Sequence, residues 1–451
     1  MTLRNACLTL ALLMGTLATA APVYTPLVSL GNDIECEKCQ GYLLPGAIVP
    51  REDYRYAIHS DLPEIFKTDG LLYATFPVLP PFDTAKDGPL SEEMRTQINH
   101  GFTAVDDSFE VFLYHMSELE NKSHPRRLVV LALNKAAEPV RLSPLVAIEA
   151  KGKMAADDGP EIRLAKRVFT GDFEARESVT IEPGKAGVLA VSPIVAAAQD
   201  GPDSTTSSFV NGIVRGIVES PGKTALDVAV VAIPADTPAG EYGAAAERLL
   251  TVGAKSGETG MDLRIAPPEC HLRRVVGVYR NFHWKGGATV DVTALPGDNL
   301  AFQMALPAAQ AKGCESARQT QDMLLHPPYV RPETIGNYTI EYHVDIDLYN
   351  PGTEAVPVDV RFGKQDASVG LAWTAAVGEI GAVAQPGPVR TGWAGAWSKG
   401  DLPDNTLSFL EGPLSLGAGE SRRVRLHFHV AGTSSLPFQL HIIREKAAAT
   451  P

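Results

Sequence analysis

From residue 340 to residue 348 the side chains alternate without a break. Ile340, Tyr342, Val344, Ile346 and Leu348 fall on one side, and Glu341, His343, Asp345 and Asp347 on the other. A period of two predicts a strand with one face in a core and one face outside it. Residues 423–430 repeat the pattern: Val424, Leu426, Phe428 and Val430 alternate with Arg423, Arg425, His427 and His429. The run LVVLAL at 128–133 is apolar at every position, which predicts a central strand buried on both faces. Further strands are predicted at 69–79, 108–116, 137–150, 178–195, 273–284, 287–295, 299–308 and 437–443, and two more around the turn SPGK at 220–223. Pro139 and Pro144 place the 137–150 strand at an edge or a bulge. The stretch 240–254, GEYGAAAERLLTVGA, is expected to be the longest helix.

One passage is written twice. LALNKAAEPV ends an apolar run at Asn134, and LYNPGTEAVPV ends another at Asn350; each has a Glu four residues on and a Val two after that. Later in each half an apolar strand, a Gly turn (IEPGK, LGAGE) and another apolar strand follow. Asn suits a strand end because it tolerates the left-handed region and bonds its own backbone. Gly supplies a positive φ at no steric cost. The order of parts matches and the spacing differs, 50 residues from Asn134 to Gly184 against 69 from Asn350 to Gly419. We expect two tandem sandwiches on one pattern.

Composition agrees. The 451 residues include 40 Gly and 34 Pro, which suits short strands joined by many turns. The expected fold is all-β: two tandem β-sandwich-like domains with one or two short helices, at 58–262 and 263–446, behind a signal peptide (1–20) and an irregular arm (21–57). The net charge of −13, with no block of Lys and Arg, speaks against nucleic acid.

The N-terminus reads as an export signal: Arg4, the apolar stretch ACLTLALLMGTLA, then ATA at 18–20. No later stretch approaches the roughly 20 apolar residues of a membrane span. Export predicts a periplasmic or extracellular protein. Beyond Cys7 in the leader there are four cysteines, Cys36, Cys39, Cys270 and Cys314, an even set that fits two disulfides. Cys36–Cys39 with Cys270–Cys314 is the favoured pairing; a redox CxxC would need a helix, and QGYLLPGAIVP after it is turn-rich.

Candidate chemistry is sparse. Glu341, His343, Asp345 and Asp347 share one face and are the best metal-like set, but residues two apart on a strand stand about 7 Å apart, so other strands must contribute. His427, His429 and His441 would do so if their strands were adjacent. The plainer reading is a solvated face on which Arg425, His427 and His429 answer the acidic row as cross-strand pairs. Trp393 and Trp397, four apart in TGWAGAWSKG, form a candidate sugar platform or ordinary core. In YRNFHWKGG, Tyr279, His283 and Lys285 alternate with Phe282 and Trp284, as in a core strand. His59, Ser60 and Asp61 are adjacent, so they point to opposite faces and make no triad. No nucleophile elbow, HExxH, P-loop or dinucleotide fingerprint occurs.

Five passages in order, SDLPEIFKTDGLLYATFP, VNGIVRGIVES, VVGVYRNFHWKG, GNYTIEYHVDIDLYNPGTEAVPVDVRFG and LSLGAGESRRVRLHF, resemble a family of secreted bacterial proteins of unknown function, best known from cyanobacteria. The resemblance spans roughly residues 58–443 and implies export and β-richness. It brings no catalytic residues. The expected function is a binding or structural module of the cell envelope, its partner a polysaccharide or another envelope protein, with no cofactor; the alternative is a glycan or ester hydrolase with a site in an inter-domain cleft.

Overall fold

The structure is a computed structural model. It describes residues 25–26, 40–61, 65–76, 104–117, 125–150, 159–195, 209–254, 276–304, 319–325, 340–365, 369–382, 385–394, 396–397, 406–430 and 438–445. The leader and all the cysteines, with their expected pairings, lie outside them. No described helix is long and apolar enough to cross a membrane.

The chain is all-β, with sheets built around two large hydrophobic cores. In the first half, β1 (Gly46–Pro50), β2 (Tyr56–Ser60), β3 (Gly70–Ala74), β4 (Phe109–Ser117), β5 (Arg126–Asn134) and β6 (Val140–Glu149) are followed by helix α1 (Pro160–Thr170). Then come β7 (Val179–Ile181), β8 (Ala186–Val191), β9 (Phe209–Val218), β10 (Leu226–Pro234) and helix α2 (Tyr242–Arg248). The second half has β11 (Gly277–Arg280), β12 (Phe282–Asp291), β13 (Asn299–Met304), β14 (Glu341–Tyr349), β15 (Val356–Gln365), β16 (Val369–Gly378), β17 (Arg390–Ala394), β18 (Leu414–Leu416), β19 (Ser421–Val430) and β20 (Phe438–Arg444).

The first core lies between the sheet carrying β6-β9-β4-β2-β11 and the sheet β8-β5-β10-β3. The second lies between the sheet carrying β13-β20-β15 and the sheet β17-β16-β19-β14-β12-β1. The second is rich in aromatic rings: Tyr342 stacks on Phe428 with centroids 4.9 Å apart, and Trp284 is 1% exposed beside Tyr342. Truncating such a buried ring to Ala costs about 3–5 kcal/mol.

The repeated passage forms the same structure twice. Asn134 Nδ2 donates to the carbonyls of Glu138 and Ile181, both at 2.8 Å, and its Oδ1 accepts from the Ala136 N–H at 2.8 Å. Asn350 Nδ2 donates to Glu354 and Leu416, again at 2.8 Å, and its Oδ1 accepts from the Gly352 N–H at 3.0 Å. Gly184 and Gly419, both at φ 71°, donate their N–H to the carbonyls of Asn134 and Asn350. Strand partners agree too: Ile181 faces Val140 as Leu416 faces Val356, and Ala186 faces Leu133 as Ser421 faces Tyr349. The unequal spacing has a visible cause. Between the equivalent strands the first half places α1, and the second half places β16 and β17.

Two features depart from the sequence expectation. The arm is not irregular throughout, because β1 pairs with β12 in the second-half sheet, while β11 pairs with β2 in the first. Between them Arg51 N–H donates to the Asn281 carbonyl and Asn281 N–H to the Arg55 carbonyl. Residues 46–60 and 277–286 thus run as one antiparallel ribbon through both sandwiches. The longest described helix is α1, 11 residues, rather than 240–254, where α2 has 7. Helix α1 starts with Pro160 in its first turn and stops at Gly171, φ 71°. It is wedged at the seam: Leu164 and Val168 join Phe112, Phe209 and Ile213 of the first half, while Ala165 packs on Ala372 of the second.

Candidate metal centre at the seam

Strand β14 alternates as the sequence predicts, with Tyr342, Val344, Ile346 and Leu348 buried and the odd-numbered polar residues half-buried. Its neighbours decide what those polar residues meet. Antiparallel β19 places Arg423 beside Asp347, Arg425 beside Asp345 and His427 beside His343. Parallel β12 places His283 beside Glu341 and Lys285 beside His343.

The row therefore divides. Asp345 and Asp347 form cross-strand pairs, the first with Arg425 as expected and the second with Arg423, which the expectation had not named. Arg425 donates to both Asp345 oxygens at 2.9 and 3.1 Å, and Arg423 to both Asp347 oxygens at 2.6 and 2.7 Å. Glu341 and His343 do something else. Glu341 Oε2 lies 3.3 Å from His283 Nδ1, 3.4 Å from His427 Nε2 and 3.8 Å from His343 Nε2. Glu341 Oε1 faces Arg51 Nη1 at 3.4 Å. The ring of His343 stacks on His427 at 4.2 Å and 14°, and His283 meets His343 edge-on at 5.4 Å. Close as these contacts are, His283 Nδ1 and His427 Nε2 are shielded from water and make no directed hydrogen bond.

Burial alone would raise the Glu341 carboxyl. The surrounding imidazoles and the Arg51 guanidinium outweigh it and hold the group far below the usual carboxylate range. Burial pushes the His343 imidazolium down; Glu341 pulls it back, His427 and His283 oppose it, and the net shift is downward. Arg51 is itself almost sealed, its side chain 5% exposed. Burial would weaken its charge, but the hydrogen bond to Asp53 and the fields of Glu110, Glu341 and Asp53 raise its pKa. Nearby, Arg215 donates to Glu110 at 2.7 Å and its guanidinium lies over the rings of Tyr54 and Phe173, 4.5 and 4.0 Å from their centroids. From α1, Phe169 covers His427, ring centroids 4.5 Å apart.

The seam thus joins a carboxylate to imidazoles from three adjacent strands, with a guanidinium from the ribbon behind it. Sequence reasoning reached Glu341, His343 and His427 but gave His283 no role and missed Arg51. The alternation of His283 with Phe282 and Trp284 marks it as outward-facing; nothing local reveals that its strand runs parallel to β14. His429 shares the face but is 3% exposed, and burial pushes it down to about 4. His441 does not join the cluster, because β20 belongs to the opposite sheet, where His441 Nδ1 lies 3.3 Å from Asn299 Oδ1.

Trp393 pairs through its backbone with Gly370 in one sheet, while Trp397 pairs with Gln365 in another. The half-buried Trp393 ring lies over Gly370, where an added Cβ would meet that ring at 3.2 Å and Ile162 at 2.8 Å. The Trp397 side chain lies outside the described residues. Ser60 bonds not to its neighbour His59 but to His115 Nε2 at 2.8 Å, and both are sealed at 0% exposure. A groove lined by Ala375, Val377, Pro388, Leu410 and Leu414 lies elsewhere on the second half, and its charged lining residues include Arg390 and Glu411, which pair with each other.

A family model described as protein of unknown function (DUF3370) matches residues 52–370. The chain belongs to that family. The matched range holds His283, Glu341 and His343 of this DUF3370 chain; His427 lies beyond it. No curated protein matches. Among solved structures, the CUB1-EGF-CUB2 region of human MASP-1/3 is 10% identical, with 75% of this chain and 99% of that one covered and a TM-score of 0.16. A Parabacteroides distasonis protein described as a candidate secreted protein is 9% identical, with 89% and 100% covered and a TM-score of 0.17. Scores this low bear on neither fold nor function.

Proposed function

We propose that this DUF3370 chain is an exported binding module of the bacterial cell envelope, and that it takes its ligand at the seam between the two sandwiches. One observation carries the reading: Glu341 is ringed by His283, His343, His427 and Arg51 on strands held rigid by ladder pairing and by the ribbon 46–60/277–286. Sites built on paired strands hold their geometry better than sites on loops. The polar groups are half-buried yet reachable, His343 being 37% exposed. Imidazole and guanidinium suit an acidic or hydroxyl-rich partner, so an envelope polysaccharide is the partner class. A glycan array and a pull-down from envelope extract test this. Saturable binding lost in Glu341→Gln supports it, and silence across both sinks it.

A second reading, a glycan or ester hydrolase, draws on the same cluster lying between the two sandwiches. Turnover on a panel of glycans and esters, lost in His343→Ala, would replace the first reading with this one.

A further inference from the structure

Resting on the seam as the binding site, we propose that His283, Glu341 and His343 ligate one divalent first-row transition-metal ion, zinc fitting the donor set well, with a fourth position open to water or to the partner. The ligand atoms of these three residues all lie within 4.8 Å of one another, and they form the one such group found among the described residues.

The spacing is that of atoms sharing an ion rather than a proton. Zinc bonds of about 2.0–2.1 Å in a tetrahedron place neighbouring ligand atoms about 3.3 Å apart. A charge-assisted N–H···O hydrogen bond would be about 2.7–2.9 Å. Glu341 Oε2 stands 3.3 Å from His283 Nδ1 and 3.8 Å from His343 Nε2. Buried polar atoms normally have partners, yet His283 Nδ1 is shielded from water and lies 3.3 Å from the carboxylate without pointing a hydrogen bond at it. An ion between them would satisfy it.

The donor set narrows the ion. Two imidazoles and one carboxylate suit zinc, iron or cobalt; calcium and magnesium take oxygen ligands. The carboxylates that could favour calcium are already engaged, Asp345 and Asp347 by Arg425 and Arg423. Arg51 sits on Glu341 Oε1, which leaves Oε2 turned toward the imidazoles, an orienting contact of the kind that supports metal ligands. His427 is placed beside the ion rather than on it. Its ring lies nearly parallel to His343, 14° apart, so the two rings cannot both aim their in-plane lone pairs at one point. The ligand atoms that converge within 4.8 Å with His283 and Glu341 include His343 and not His427, although Glu341 Oε2 is 3.4 Å from His427 Nε2.

The test uses the full mature chain, stripped with chelator and titrated with zinc alone by calorimetry, then with cobalt, whose visible spectrum reports coordination. We expect one ion per chain and a tetrahedral or five-coordinate cobalt spectrum. His283→Ala, Glu341→Gln and His343→Ala should each weaken zinc binding at least 100-fold, with far-UV circular dichroism unchanged; His427→Ala should weaken it tenfold or less. The double variant Cys36→Ser/Cys39→Ser should keep the site. No stoichiometric binding to the stripped wild type overturns the proposal, as does binding that survives His283→Ala/His343→Ala in one chain. Should the single variants misfold, the cobalt spectrum of the wild type decides, since a spectrum without nitrogen ligation also overturns it. Zinc binding without any envelope partner would retain the metal and discard the polysaccharide; partner binding that needs Glu341 but survives chelation, with no zinc bound, would do the reverse.

Discussion

The strands β5 and β14 hold the same place in the two halves, yet their outer faces are opposites. Registered on Asn134 and Asn350, Val129 corresponds to Asp345 and Leu131 to Asp347. In the first half that face is apolar and is roofed by α2, where Val129, Leu131, Ala229 and Val231 pack with Ala245 and Ala246. In the second half it is polar, covered among the described residues by ion pairs and the edge of α1, and it holds the imidazole cluster. The inner faces and the turns match, since both must serve a core. The outer face is where two copies of one frame are free to diverge, and there one half added a helix while the other gathered chemistry.

Exchanging single residues between the faces is the sharpest test. Val129→Asp would put a carboxylate under α2 at a site with no exposure, packed among Leu131, Ala229 and Val231, with Arg127 two residues along the same face already held by the Ser192 carbonyl. Burying an unpaired charge or its neutral acid there should cost about 4 kcal/mol or more. Thermal unfolding should show the first half lost or the protein insoluble; a stable variant would mean that the α2 roof is not close-packed.

The shared frame predicts the opposite, equal effects. Asn134→Ala and Asn350→Ala each strand one buried carbonyl, that of Ile181 in one half and of Leu416 in the other, and release one more open carbonyl, of Glu138 and of Glu354. At about 1–3 kcal/mol for a group left unsatisfied, each should cost about 3 kcal/mol in urea unfolding. Values differing by more than about 2 kcal/mol would break the equivalence of the two turns.

What the sequence made legible follows the same division. Alternation over 340–348 and 423–430 named the inner and outer residues of β14 and β19 correctly, because a half-buried strand must carry a period of two. The Asn and Gly positions marked both turns, since few residues tolerate those conformations. The pairing of the acidic row with Arg425 was foreseeable once the strands were set side by side, while the Arg423 pair was not named. The site was not, because it needs long-range facts. His283 reaches Glu341 only through a parallel pairing, and Arg51 only through the ribbon that passes between sandwiches. Helix α1 had local signals, Pro160 and Gly171 around apolar residues at 162, 165 and 168, that outweigh the alanine-rich stretch at 242–248.

A smaller difference concerns acid. By the strand registers, Arg215 and His441 occupy equivalent places. Arg215 is answered by Glu110, whereas burial and the Arg361 charge push His441 down to about 3. Its unfolded value is about 6.5, so the unfolded chain binds the extra proton. Stability is complete above about pH 6.5 and falls as pH drops toward about 3, by up to about 1.4 kcal/mol per pH unit. The four tryptophans, at 284, 373, 393 and 397, all lie in the second half, so their fluorescence reports it selectively. Between pH 7 and pH 5 the tryptophan-detected urea midpoint should fall, and His441→Gln should remove about 2 kcal/mol of that fall. An unchanged profile would assign the acid sensitivity elsewhere.

The smallest effect completes the exchange. Asp345→Val puts the first half's residue type on the second half's outer face. It removes the pair to Arg425, whose side chains are 43% and 35% exposed, and a longer one to Arg423 at 3.5 Å, and such exposed pairs contribute about 0.2–1 kcal/mol. Valine returns part of that through its fit to a pleated strand, and Arg425 can turn to water. Stability should therefore change by less than about 1 kcal/mol, and zinc stoichiometry should stay at its wild-type value because Asp345 touches neither Glu341 nor the imidazoles in the described contacts. The asymmetry is the point: one face tolerates the other's residue, and the reverse exchange does not. If Asp345→Val proved as damaging as Val129→Asp, the ion-paired face would be a second core in disguise, and a site resting on its openness would have to be abandoned.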